Sequence, residues 1–291
     1  MKKILAFAAL TGIAAAGTMW HHASRNTFSL TFSDKKALHD APNDDLDANF
    51  SALSQDMKSR AKKLNDDLAA EKMAQAARSD QRPILSGMFD ANVPVKLQDQ
   101  MRDDLGFIQS IKGTGASELH KNIFGMVDGQ TYMTFFASRV KAIGLDSCGG
   151  PKAVACVQPY KNHSKMWLTP NYTKFNHPQI TRMMIVFHES RHTEIIHDFW
   201  FHANCPDPFK DAKGDDMISI FTGATLAGED ACDTTPLGSY GSSLIMLKNI
   251  QKFCANCTDK IKMDAGIYAD DQVGRITGPT AKKQIREDLY E

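Results

Sequence analysis

Hydrophobic and polar positions divide the chain into stretches of different period. Between residues 34 and 82 charged side chains dominate, yet Leu46, Phe50, Leu53, Met57, Leu64 and Leu68 recur at mostly three- and four-residue steps. That spacing predicts a helix with one apolar stripe, either a surface helix packing on the rest of the protein or a prosegment or partner-binding helix. Gln81-Arg82-Pro83 ends it, because the residue before a proline is driven out of the helical region. A mixed region then runs to about Ile143. Within it Gln130 to Phe136, QTYMTFF, is rich in strand formers, and a helical pattern resumes from Ala137. No internal repeat or low-complexity segment interrupts the chain.

From Cys148 to Pro170 the sequence is rich in Gly and Pro and closes on Lys165-Met166-Trp167-Leu168-Thr169. This predicts a short β-strand stopped by a proline. Asn176-His177-Pro178 then supplies a helix start, a capping residue followed by proline in the first turn. Ile180, Met184, Phe187, Arg191 and Ile195 share one face, so the spacing predicts a mostly buried helix from Pro178 to about Phe199. The expected organisation is a charged helical region over 17–83 and one domain over 84–291. The expected fold class is α+β, mostly helical, with a small sheet.

Composition adds little about partners. The 291 residues are 42% hydrophobic, and 34 basic side chains cancel 34 acidic ones. A neutral balance gives no electrostatic reason to expect nucleic acid or a strongly charged substrate. The amino terminus, MKKILAFAALTGIAAAGTMW, changes the picture. Two lysines precede an apolar run from Ile4 to Ala16 that ends in small residues, the pattern of a signal peptide over 1–16 with the mature chain starting near Gly17. The run is too short for a comfortable membrane span, and no cysteine sits near the cut, so no membrane attachment is expected after cleavage. The expected location is the periplasm or the exterior of the cell. Six cysteines fit that destination: Cys148, Cys156, Cys205, Cys232, Cys254 and Cys257. An even count in an exported chain favours disulfides, with fifteen pairings open. The simplest joins nearest neighbours: 148 with 156, 205 with 232, 254 with 257. A single Cys-x-x-Cys does not make a zinc finger, and a redox role for Cys254-Ala-Asn-Cys257 would need a thioredoxin-like βαβ context that the pattern lacks.

The candidate chemistry lies in Val186 to Asp198, VFHESRHTEIIHD. His188 and His192 are four residues apart, roughly 400° of helical turn, so their imidazoles project from one face. Two such nitrogens can reach one ion, and Glu189, beside the first, is placed to hold a water. The arrangement is the His-Glu-x-x-His of zinc peptidases; the bland alternative is a histidine-rich helix whose rings are satisfied by hydrogen bonds. A catalytic zinc needs a third protein ligand and an open position. His197, five residues beyond His192, lies about 140° around the helix and should miss the ion. His202 reaches it only if the helix unwinds after Phe199. Further along, Glu229 precedes Asp233 by four residues. On a second helix the two carboxylates would share a face, one binding the metal and the other orienting a ligand histidine.

His188-Glu189-x-x-His192 followed by Glu229-x-x-x-Asp233 resembles the gluzincin branch of the zincin metallopeptidases, over about residues 165 to 247. The resemblance implies zinc held by His188, His192 and Glu229, with Asp233 supporting a histidine. It also implies an edge strand, here Met166 to Thr169, lying over the active-site helix. Cys232 and the Thr-Thr-Pro after Asp233 depart from the usual pattern and leave open the aspzincin arrangement, in which Asp233 itself ligates. A Cys205–Cys232 bridge fits either choice, tying the chain after the first helix to the segment with the third ligand. Tyr240 is a candidate hydrogen-bond donor to a developing oxyanion. The expected activity is a zinc-dependent peptidase or amidase acting on a peptide or a cell-wall amide, with Glu189 as general base. The competing expectation is a non-catalytic exported binding or structural protein on the same scaffold.

Overall fold

The computed structural model describes residues 85–291 apart from 86, 149–152, 175, 176 and 212. The signal peptide, the 46–68 stripe and the Asn176 cap lie outside the described residues. The order of elements is α1 (Val95–Gln109), α2 (Glu118–Ile123), α3 (Gly129–Arg139), β1 (Ala142–Leu145), β2 (Ala155–Val157), α4 (Pro159–Asn162), β3 (Lys165–Leu168), α5 (Gln179–Arg191), β4 (Ala203–Asn204), β5 (Asp230–Cys232), α6 (Ser239–Phe253), α7 (Asp259–Val273) and α8 (Pro279–Leu289). The protein is therefore α+β and mostly helical.

The QTYMTFF segment is helical, against the expectation of a strand. Asp128 decides this: its side chain accepts from the backbone N–H groups of Gln130 and Thr131, capping α3. Capping supplies acceptors for donors that a helix start otherwise leaves open. Tyr132, Phe135 and Phe136 then fall at helical spacing and are buried. They meet Phe187 of α5 in an aromatic cluster that also includes Phe124. Tertiary packing overrides the strand propensity of aromatic residues here.

The three-stranded sheet has the order β1-β3-β2, with β1 parallel and β2 antiparallel to β3. The strand over 165–168 forms as predicted but occupies the centre, not the edge. Met166, Trp167 and Leu168 are all buried, and an apolar run covered on both faces belongs inside a sheet. The edge beside α5 is β2. Helix α5 buries Ile180, Met183, Met184 and Phe187 and continues into a core shared with α6 and α7. At its amino-terminal end the fully buried carboxylate of Asp104 on α1 accepts from Arg182 Nε and Nη2, both at 2.9 Å, from Gln179 at 2.9 Å and from Tyr172 at 2.8 Å. Four charge-assisted or neutral donors on one buried acid fix the helix against α1.

The six cysteines pair as 148–156, 205–232 and 254–257, the nearest-neighbour set, a state compatible with an extracellular or periplasmic setting. The 205–232 bridge lies in a second, small core with Phe209, Met217 and Leu226. It stabilises the long connection between α5 and α6. Among the described residues no helix is long and apolar enough to cross a membrane.

His120 of α2 is fully buried between the Gly125 carbonyl and the Tyr132 hydroxyl, each 2.8 Å from a ring nitrogen. Burial, the largest influence, lowers its pKa from 6.5 to about 4. Between those two values the unfolded chain binds more protons at this ring than the folded one, so acidification through the window should lower stability. The loss approaches about 1.4 kcal/mol per pH unit. Urea titrations should therefore show a shallower decline from pH 6.5 to 4 for His120→Gln than for the unaltered chain. Parallel declines would show that the folded protein accommodates the charged ring.

Candidate metal centre

Helix α5 ends at Arg191, two turns short of the predicted Phe199. Its last bonds tighten, His192 N–H reaching Glu189 O and Thr193 N–H reaching Ser190 O, and the Thr193 hydroxyl takes the same Ser190 carbonyl at 2.8 Å. The chain then turns around Glu194. That carboxylate accepts from Arg139 Nε at 2.6 Å, Arg191 Nη1 at 2.6 Å and Trp200 Nε1 at 2.7 Å. Burial alone would raise its pKa, but Arg191, Trp200 and Arg139 outweigh it and hold the group ionised and low. Beyond a short 3₁₀ segment, Asp198, Phe199 and Trp200 all adopt positive φ, between 50° and 55°. Three consecutive non-glycine residues in the left-handed region cost about 1–2 kcal/mol each, and such strain gathers at functional sites. This turn has two results. It brings the Phe199 carbonyl to His192, and it returns the chain so that His202 faces α5.

His188, His192 and His202 form a cluster that could hold a metal ion, with ligand atoms all within 4.8 Å of one another. His188 Nε2 lies 3.2 Å from His202 Nε2 and 3.3 Å from His192 Nε2. Nitrogens held about 2.0–2.1 Å from a tetrahedral ion would be about 3.3–3.4 Å apart. The outer nitrogens are committed elsewhere. His192 Nδ1 donates to Phe199 O at 2.8 Å, and His202 Nδ1 donates to Asp233 Oδ1 at 3.0 Å. A carbonyl and a carboxylate only accept, so a neutral ring at either position carries its proton on Nδ1 and presents the Nε2 lone pair. His188 Nε2 therefore faces two lone pairs and can offer at most one hydrogen. With all three rings neutral, hydrogen bonding alone leaves the cluster short of donors; a cation at its centre would satisfy the three Nε2 atoms. His188 and His192 are also suited to stay neutral. Burial first, then the neighbouring His202 and His192, hold His188 well below the usual range, and burial brings His192 down to about 4.

Asp233 braces the third ring. Its side chain is buried; Oδ1 takes His202, while Oδ2 accepts from Tyr240 N–H at 2.7 Å and Gly241 N–H at 3.1 Å at the start of α6. A Cβ at Gly238 would collide with this carboxylate, so the glycine is what lets the two meet. The backbone of Asp233 is clamped to Arg275 O and Thr277 N–H. Tyr240 stacks on His202, centroids 4.4 Å apart, and lies 4.6 Å from His188, with Arg275 over its other side at 4.5 Å. Burial raises its pKa, which keeps the phenol a donor. The carboxyl of Glu189 bonds to the backbone of Val157 in β2. The residue keeps some exposure, yet desolvation of its carboxyl dominates and pushes the pKa up to about 8.

Glu229 is elsewhere. It is exposed in the bend directly before β5, where its carbonyl accepts from Cys205 N–H at 2.8 Å. The premise that placed it beside Asp233, a shared helix, is corrected: residues 230–232 are a strand. Four residues span about 13 Å on a strand against about 6 Å on a helix. The sequence offers no Gly or Pro between 193 and 201 to mark the helix end, so His202 joins the cluster only on the condition that the helix stops early, which it does at Arg191.

His202→Ala should remove most bound metal, and Asp233→Asn should weaken binding about 10–100-fold by releasing the His202 ring. Glu229→Ala should leave metal content unchanged. Elemental analysis and titration against a competing chelator check all three. Metal lost with Glu229 and retained without His202 would refute the three-histidine set.

Compared with known proteins, the chain matches no protein-family model, no curated protein and no solved structure.

Proposed function

We propose that the protein is a zinc-dependent peptidase or amidase of the zincin type, acting outside the cytoplasm on a peptide or a cell-wall amide. One observation carries this reading: three imidazole Nε2 atoms converge, and Glu189 directly follows the first of these histidines on α5. Support for placing zinc there comes from the donor set, three imidazole nitrogens, with Nδ1 of two of the rings held by acceptors as in zinc-binding histidines. His188, His192 and His202 would hold the ion, a departure from the glutamate ligand of gluzincins. When bound, zinc would act as a Lewis acid on an amide carbonyl and bring the acidity of water near neutrality.

The chain's own groups supply the proton traffic. Glu189 accepts a proton from the attacking water and delivers it to the leaving nitrogen, breaking the C–N bond without a charged amide anion. Its bond to Val157 N–H holds the carboxyl in place between α5 and β2. Tyr240, packed on two of the ligand rings, is suited to donate to the oxyanion that forms on the carbonyl oxygen. Among the described residues strand β2 has a strand partner, β3, on one side only, so an extended substrate can add along the other side through backbone bonds.

Glu189→Gln should keep its metal and lose about 10²–10⁴-fold in turnover. Cleavage of mixed fluorogenic peptides and of peptidoglycan fragments, scored beside zinc content, tests this. Undiminished turnover in the metal-loaded variant would remove Glu189 from the mechanism.

A further inference from the structure

Two walls border the histidine cluster. One is β2, which bonds Glu189 through Val157 and runs through Gln158 into α4. The other is the left-handed turn leading to His202. The segments that follow β2 and form the turn meet through aromatic rings. Tyr160 of α4 lies 6.1 Å from Phe199 and 6.0 Å from Phe201, and those two are 5.7 Å apart. Phe201 adjoins the ligand His202 in sequence, and the carbonyl of Phe199 holds His192.

None of the three rings belongs to either hydrophobic core. Tyr160 is 87% exposed and Phe201 48%. Single exposed apolar residues need no explanation, but aromatic rings gathered beside a ligand cluster mark a surface that something covers. The nearby cation does not offer a charged contact: Lys161 is bonded to Asp146 at 3.0 Å and sits over Trp167. The surface thus suits an uncharged, bulky side chain.

We infer that Tyr160, Phe199 and Phe201 form a specificity subsite that takes a large apolar side chain of an extended peptide whose scissile bond lies at the histidine cluster. This rests on the reading of the protein as a metallopeptidase, because the peptide is what reaches along β2 and past the ligands at once. Tyr160 supplies the contact from the edge-strand side, and Phe201 from the ligand side. The two phenylalanines are also positioned by the same strained turn that delivers His202, so the subsite and the third ligand are built by one piece of chain.

The test uses the full chain carrying Glu189→Gln, loaded with zinc and mixed with a randomised peptide library, followed by sequencing of the retained peptides. Enrichment of Phe, Tyr, Leu, Ile or Met at one position by about tenfold or more is expected, the scale on which an apolar pocket discriminates. Adding Tyr160→Ser, or Tyr160→Ser with Phe201→Ser, should bring that enrichment close to unity while zinc content and the circular dichroism spectrum stay unchanged. Tyr160 is exposed enough that its replacement tests binding and not folding. Absence of retention, preference for charged or small residues, or an enrichment indifferent to both variants would each overturn the subsite. The unaltered enzyme is assayed separately on the selected peptides. Retention without cleavage would keep the subsite and remove the peptidase reading; cleavage without apolar preference would do the reverse.

Discussion

The carboxylate of Asp233 joins three parts of the molecule that are otherwise separate. One oxygen fixes the His202 ring, and the other closes the first N–H groups of α6. The residue itself follows Cys232, which the disulfide ties to Cys205 three residues after that same histidine. A hydrogen bond to a charged group contributes about 1.5–3 kcal/mol, and its loss leaves buried donors unpaired. The positive end of α6 adds to the preference for an anion at this point. Asp233 therefore does for His202 what the helix does for His188 and His192: it gives the ring one direction.

The second constraint is the turn from Thr193 to Phe201. Its left-handed residues are costly, and the structure compensates with the three donors that converge on Glu194 and with the Phe199–His192 bond. Arg191, buried and bonded also to the Leu237 carbonyl at 2.6 Å, couples this turn to the segment before α6. Ligand geometry, the strained loop and the exposed aromatic rings are one mechanical unit. An ion held by the three rings would stabilise the unit by favouring the one loop conformation that presents His202.

Sequence reasoning succeeded where a local period or a short chemical motif carried the information. The β3 segment, the inward face of α5 as far as Arg191 (Ile195, placed on the same face, is exposed), the His188–Glu189–His192 spacing and the nearest-neighbour disulfides were legible. It failed where the deciding group was remote. Phe135 and Phe136 look like strand residues until the Asp128 cap and the face of Phe187 are considered together. Residues 229–233 look helical by spacing alone; the Cys205–Cys232 bridge and the pairing of β5 with β4 make them a strand.

What the sequence determined by itself is the pair of ligands one helical turn apart and the acid beside them, because a 3.6-residue period converts spacing into direction. It also marked Asp233 as either a partner for one of the histidines or a ligand itself; the structure sets its carboxylate against His202. Only the tertiary structure brought in the third histidine. His202 lies ten residues beyond His192 with no glycine or proline between them, and its arrival depends on a turn held by Arg139, Arg191 and Trp200 through Glu194. Those contacts come from three different elements, α3, α5 and the turn itself, and no local pattern encodes their meeting.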